Sequence, residues 1–345
     1  MTRTVDLKFR ALRNGAEYAE IYPASSARPV LRMNDEGAIK MAMNGEFAAD
    51  PDIDWLNDEI QPVLVIDGVE HNLGVFIPTT ARETEDEESK SVSIEAYDRA
   101  WRVQDTKAET PVYFAKSTTY ISAIESLLTA AGIGLVRAAA STAVLAEARE
   151  WEIGTSSLAI INELLQEINY KSLWFDLDGV AVLEAASDPA AAQIEHTLDS
   201  SNVQSLLLPT YRRTTDIFSA PNVFVCVCNN PDKSAQMIAT AVNDNPLSPL
   251  STTRRGRRIV KMIKVNNIAD QTTLQAYADS VARENMGVHE TVEVETALFP
   301  GYGVDDVTAL RYEDYIGVFT ERKWEMELVT GGTMRHTLER VVYNV

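Results

Sequence analysis

Four histidines, two cysteines and a few neighbouring carboxylates are the residues of this chain whose types could do chemistry. His71, His196, His289 and His336 are scattered, and no spacing lets two of them grip one metal ion. Cys226 and Cys228, in NVFVCVCNN, alternate along an expected strand and share a face. Half a zinc site would need a second pair, and the chain holds only these two cysteines. Two same-face neighbours on one strand are also poorly placed for a disulfide. Their expected role is that of small buried hydrophobes. Asp305-Asp306 could be half of an acid/base site, but Pro300-Gly301 just upstream favour a turn. No nucleophile elbow, Walker loop, dinucleotide-binding glycine pattern or HExxH occurs. The glycines of GYGVDD precede no helix. No catalytic residue, cofactor site or metal ligand is expected, and the chain reads as a non-enzyme.

What remains is charge. FIPTTARETEDEESKSVSIEAYDRAW, from Phe76 to Trp101, places Glu83, Glu85, Asp86, Glu87 and Glu88 between two strand-like stretches. Residues 78–92 are expected to form an extended hairpin with these acids near its tip. Clustered oxygens can hold calcium, but the glycine and ligand spacing of an EF-hand loop are missing, and a solvated tip is the simpler reading. One basic cluster interrupts the acidity: Arg254, Arg255, Arg257, Arg258 and Lys261 in STTRRGRRIVKMIK. It suits an anionic partner, either nucleic acid or the acidic face of another subunit; a solvated loop is the alternative. No aromatic residue interleaves it, which weakens single-strand binding. The chain carries a formal net charge of -20 and a pI near 4.6. Such a surface repels nucleic acid as a whole.

These clusters need elements to position them. With 345 residues, 45% of them hydrophobic, the chain is long enough for two or three domains. No apolar run reaches the roughly 18 residues of a membrane span, and MTRTVDLKFRALRNG has no apolar leader, so no membrane anchor is expected and synthesis in a cytoplasm is.

Residues 1–116 read mostly as strands, with Asp67-Gly68 as a hairpin turn. Val92, Ile94 and Ala96 alternate on one face, and Tyr97 and Trp101 anchor a short turn. Residues 117–200 change period. STTYISAIESLLTAAGI is a capped helix with Ile121, Ile124, Leu127 and Leu128 on one face. GTSSLAIINELLQEINY is a second helix, with Leu158, Ile161, Leu164, Leu165 and Ile168 repeating at packed-helix spacing. A hairpin at Asp178-Gly179 follows. Residues 201–345 return to strands. PDKSAQMIATAVNDN is expected to be a short helix, and IVKMIKVNN an edge-like strand. DQTTLQAYADSVARENMG is a helix capped by Asp270, closed by Gly287, with Leu274, Tyr277, Ala278 and Val281 inward.

This order of parts resembles a known family. SVSIEAYDRAW, then TTYISAIESLLTAAGI, then GTSSLAIINELLQEINYKSLWFDLDGVAVLE is similar to the baseplate hub proteins of bacteriophage tails, in contractile or non-contractile tails and phage-like injection particles. LQAYADSVAREN with VEVETALFPGYGVDDVTAL looks like that family's second half, and WEMELVTGGTMRHTLERVV like its closing hairpin. The resemblance spans roughly residues 60–345. It implies an α+β, mainly β fold: two tail-tube-like β-barrel domains, 1–116 and 201–345, with a small α/β domain at 117–200. It implies a homotrimeric ring joining the tail tube protein to a central spike or tip protein. Distal tail or baseplate proteins are neighbours, a tape measure protein is a possible partner, and DNA only passes through. The implied location is the virion tail. In that setting the hairpin either docks on a neighbour or faces the lumen. An adhesion or carbohydrate-binding protein of the tail tip is the alternative, and it would need exposed aromatic platforms. Trp55, Trp101, Trp151, Trp174 and Trp324 sit mostly in periodic segments and read as core.

Overall fold

Alternation of apolar and polar side chains turns the first hundred residues into strands. β1 (Val5–Arg13) and β2 (Ala16–Ile21) form a hairpin, followed by β3 (Val30–Asn34), β4 (Met41–Ala48) and β5 (Glu59–Ile66). β5 turns at Asp67-Gly68 into β6 (Val69–Asn72). Both turn residues have positive φ, 50° and 82°, which is what the Asp-Gly pair allows. β7 (Phe76–Glu85) and β8 (Lys90–Asp98) form the next hairpin. Val92, Ile94 and Ala96 are buried together, as expected. The computed structural model describes residues 3–85, 89–145, 147–168, 170–185, 193–202, 206–216, 220–229, 236–266, 271–285 and 288–342.

The chain then changes period. Tyr97 stacks on Trp101, ring centroids 5.5 Å apart, where β8 runs into α1 (Ala100–Asp105). Asp98 pins this corner. Its buried carboxylate accepts the Ala100 N–H at 2.9 Å and the Met41 N–H of β4 at 3.0 Å. After β9 (Val112–Phe114), α2 (Tyr120–Ala130) starts at Thr119, whose hydroxyl accepts the Ser122 N–H. β10 (Val136–Ala138) and β11 (Arg149–Trp151) lead to α3 (Ser157–Glu167), capped likewise by Ser156. β12 (Trp174–Phe175) and β13 (Ala181–Leu183) close the segment as a hairpin. Ile124, Leu127 and Leu128 of α2 and Leu158, Ile161, Leu164 and Leu165 of α3 lie in one core, which runs from Ala100 to Leu183.

The last part holds β14 (His196–Asp199), β15 (Leu207–Asp216), β16 (Val223–Asn229), β17 (Met237–Val242), α4 (Thr252–Arg255), β18 (Val260–Asn266), α5 (Gln271–Asn285), β19 (Val288–Ala297), β20 (Val307–Tyr312), β21 (Tyr315–Glu327) and β22 (Thr333–Val342). Here the expected short helix in PDKSAQMIATAVNDN is corrected. Its residues 231–235 lie outside the described residues, and Met237–Val242 is a strand paired antiparallel with β16. Alanine's helix propensity is worth under ~1 kcal/mol per residue. Six paired residues and the burial of Ala239 and Ala241 in the core beneath α5 outweigh it. The inward face of α5 is Leu274, Ala278 and Ala282, over Phe224, Cys226 and Cys228. Tyr277, expected inward, is 38% exposed. Asp270 and Gly287, the expected cap and stop, and the side chain of Val281 lie outside the described residues. Both cysteines are free and buried, as small hydrophobes.

Two compact units result: Met1–Thr210 with Val294–Thr337, and Tyr211–Glu293 with Leu338–Val345. In the first, the strands run β22-β21-β3-β4-β8-β7-β5-β1-β2, and beyond β22 the sheet continues through β19 to β15. The join is the antiparallel pairing of β21 with β3, Trp324 opposite Met33 and Met326 opposite Leu31. These four side chains are buried in the core that Phe9, Phe47 and Phe76 share. On the other face Arg32 meets Glu325 at 3.0 Å, Arg28 meets Glu327 at 3.3 Å, and Lys323 meets Glu36 at 2.6 Å. In the second unit, β17-β16-β18 form a three-stranded sheet. Among the described residues no helix is long and apolar enough to cross a membrane. The fold is α+β and mainly β, as expected.

Two expected outcomes follow from this packing. Trp324→Ala should cost about 3–5 kcal/mol in urea unfolding, the usual range for deleting a buried aromatic. A loss under about 1 kcal/mol would mean that the β3–β21 join is not part of the cooperative core. Burial pushes the Asp98 carboxyl up from 3.8 to about 7. Between those values the folded chain keeps a proton that the unfolded chain has released. This contribution to stability is therefore full below pH 3.8 and is lost as pH rises to about 7. Asp98→Asn should flatten that part of the slope in urea melts across the range; an unchanged slope would contradict it.

Candidate assembly surfaces

β7 and β8 pair as a hairpin out to Glu85 opposite Lys90. Glu83 and Glu85 end β7, with Lys90 of β8 3.3 Å and 3.8 Å away. All three are exposed, so solvent screens each pair and it adds little to stability. β4 backs β8 as far as Ser91, opposite Ala48. Asp86, Glu87 and Glu88 lie outside the described residues.

The basic cluster sits in the second unit on a loop with its own support. Ser251 is buried, and its hydroxyl accepts the Arg254 N–H at 3.2 Å, starting the one-turn helix α4. Gly256, at φ 62°, stops it in the left-handed conformation that glycine takes without strain. Arg255 donates to the Ala220 carbonyl at 2.6 Å, while Arg254, Arg257, Arg258 and Lys261 are exposed. The structure thus brings the five basic residues together along one loop and the start of β18. The residue that holds this loop is Asn222, which the pattern of charges did not single out. Its side chain is buried; Nδ2 donates to the carbonyls of Leu250 at 3.1 Å and Arg257 at 3.0 Å, and Oδ1 accepts the Ile259 N–H at 2.7 Å. The only sign of it in the sequence is a polar residue at the head of an apolar strand, in PNVFVCVC.

A polar network in the first unit also lay beyond sequence reasoning. Thr296 Oγ1 is 3.0 Å from His336 Nε2, and His336 Nδ1 is 2.8 Å from Glu321 Oε2. Hydroxyl, imidazole and carboxylate stand in the order of a nucleophile relay. All three residues are buried, which leaves no room for a substrate beside the hydroxyl. Burial raises the Glu321 carboxyl above its ordinary value. Tyr302 lies over His336 and stacks at 3.9 Å on His196, whose Nε2 is 2.8 Å from Asp306. Asp306 Oδ2 also accepts the Gly303 N–H at 2.7 Å, and Asp305, at φ 60°, pairs with Arg322 at 2.9 Å. The two aspartates therefore shape a turn. His336 could have been suspected from alternation, because Met334 and Leu338 on either side are core residues.

A cleft lined by Glu59, Arg99 and Arg102 also gathers charge. Arg99 meets Glu59 at 2.6 Å and Arg102 meets it at 3.2 Å, so the carboxylate is satisfied by both. Trp55, Trp151 and Trp324 are buried, and Trp101 and Trp174 are half-buried. Among the described residues, no three His, Cys, Asp or Glu side chains are placed to share a metal ion.

Asn222→Ala should cost the second unit roughly 1–3 kcal/mol, because it leaves two carbonyls and an N–H without their partner. Amide exchange of Leu250 to Ile259 should quicken while that of α2 and α3 does not change. Uniform exchange across both would contradict the assignment of Asn222 to this loop.

No protein-family model matches the sequence, and no curated protein matches it. Solved structures do match. The chain is similar to a tail protein from Neisseria meningitidis at 13% identity and a TM-score of 0.68, covering 98% of this chain and 97% of that one. It is similar to the 43 kDa tail protein of prophage MuSo2 from Shewanella oneidensis at 12% identity and 0.66, covering 97% and 98%. A type VI secretion component of Escherichia coli, itself described as structurally similar to bacteriophage T4 tail proteins, matches at 9% identity and 0.51, covering 99% and 77%. From end to end, this chain has the fold of phage tail proteins.

Proposed function

We propose that this chain is a structural hub of a phage tail tip or baseplate, or of a related injection particle. Three copies form a ring that joins the tail tube to a central spike or tip and lets DNA pass. The observation that carries this reading is the end-to-end correspondence with tail proteins, which leaves almost none of either chain unmatched. In this reading 1–116 and 201–345 supply the tube-like β parts and 117–200 is the α/β part beside them. Two similar parts in each of three chains let a threefold tip meet a sixfold tube. Neighbours are the tail tube protein, distal tail or baseplate proteins and, at the lumen, a tape measure protein. The chain acts in the virion tail and without catalysis.

Charge fits the task. Three copies carry 3 × -20 = -60, so DNA is repelled from the ring rather than bound. Ring closure then needs local pairing, and the cluster Arg254, Arg255, Arg257, Arg258 and Lys261 is the candidate for it. Glu83 and Glu85, with Asp86, Glu87 and Glu88 beyond them, are the acidic counterpart on a neighbouring subunit.

Removing Glu83–Glu88 should leave the chain folded, since exposed loop tips tolerate deletion, and should lower the yield of complete tails. Full yield would remove the arm from assembly. Reversing Arg254 and Arg258 to Glu, with the partly buried Arg255 kept, should block ring formation and leave the unfolding free energy within about 0.5 kcal/mol. Tight duplex DNA binding by the isolated chain, lost with salt and with these substitutions, would favour a nucleic-acid role instead.

A further inference from the structure

Two guanidiniums and one carboxylate stand in the cleft beside α1. It has a volume of about 400 Å³, and all its lining residues are among the described ones. Arg99 and Glu59 close on each other. Arg99 Nε donates to Oε1 at 3.1 Å and one terminal nitrogen to Oε2 at 2.6 Å, while the other donates to the Gly179 carbonyl at 2.9 Å. Arg102 brings a second positive charge to the same carboxylate, through one bond at 3.2 Å. A guanidinium has five donors, and the Arg102 side chain is 41% exposed. No other charged residue lines the cleft, so two cations face one anion and the cleft carries a net +1. The chain around it has a net charge of -20.

The rest of the lining is largely apolar or bare. Leu12 and Ile133 are buried, and Leu135 is 59% exposed although its carbonyl is held by the Ala181 N–H at 3.0 Å. Gly15 and Gly132, at φ 77° and 75°, are needed by their turns. Gly134 has no such need. Its φ lies outside the left-handed region, and a Cβ added there would meet nothing within 4 Å. Its missing side chain keeps open a space that the fold does not fill. Arg102 lies along the same loop, with its Cδ 3.9 Å from where a Cβ on Gly132 would stand.

We propose that this cleft takes a carboxylate carried on an extended acidic segment of a neighbouring protein chain. Arg102 is its ion partner, Gly134 is the opening that lets the segment come close, and Leu12, Ile133 and Leu135 receive its apolar stem. The inference rests on the hub reading only for the source of the segment, a chain beside this one in the tail. A guanidinium fork takes carboxylate or phosphate. A nucleic-acid phosphate, however, brings a row of like charges to a surface of net charge -20. A single carboxylate on an apolar stem matches one surplus charge over an apolar floor.

Titration of the full chain with acetyl-Ala-Glu-Ala-amide, followed by the backbone amide signals of Gly132 and Gly134 in NMR, tests this. Saturable shifts with a dissociation constant on the order of 1 mM are expected. The same peptide with Gln for Glu, and acetate alone, should each bind about tenfold more weakly, since the first lacks the charge and the second the apolar stem. Arg102→Gln should weaken the Glu peptide about tenfold. Gly134→Val should do the same by filling the opening, and its unfolding curve should match the original because the site has room for the side chain. A Gln peptide or acetate that binds as well as the Glu peptide overturns the proposal. So do binding that both variants leave unchanged, inorganic phosphate that binds more tightly than the peptide, and the absence of any saturable shift. None of these results bears on the number of copies in tail particles, by which the hub reading is tested.

Discussion

Five residue pairs between β3 and β21 hold the first unit together. They bring Arg28 and Glu327, 299 residues apart, to 3.3 Å. Closing so long a loop costs little more than closing a loop of half the length, because the entropy grows with the logarithm of length. What has to be repaid is the ordering of the strands. Burial of Leu31, Met33, Trp324 and Met326 in one core does most of that, at about 1.5–3 kcal/mol for each large apolar side chain. The ion pairs on the other face add register more than stability.

The same join explains the buried polar network. β21 pairs with β20 as far as Thr320 and with β3 from Lys323 onward. Between the two pairings the inward side changes parity: Phe319 and Glu321 are buried on one side of the handover, Trp324 and Met326 on the other. Glu321 is thus carried inside by the change of partner strand. A carboxyl there needs a donor, and His336 of β22 meets it, with Thr296 of β19 beyond. A constellation with the look of catalysis is in this chain a by-product of strand exchange.

Local rules were legible in the sequence where one interaction decided the outcome. Asp67-Gly68, the hydroxyl cap of α2, the shared face of Cys226 and Cys228 and the β7–β8 hairpin all follow from neighbours within a few residues. The rest needed partners far along the chain. MIATAV looks helical until β16 is beside it, and Tyr277 looks buried until Ala282 is seen to take its turn on the inner face of α5. Asn222 is a polar residue at the head of an apolar strand, and it holds the arginine loop through bonds to Leu250, Arg257 and Ile259. Of the candidate contact residues, type and grouping were legible; what supports them was not, because hydrogen bonds to backbone leave no signature in the side chains of the loop they hold.

The chain's nucleophile-like hydroxyl and its paired aspartates are used up in the fold, while Glu83, Glu85 and the arginine loop are exposed. The most direct measurement is cryo-electron microscopy of purified tail particles containing this chain, to count and place its copies. The account predicts three copies in one closed ring at the end of the tube. A single copy, a sixfold ring, or a position away from the tube end would contradict it.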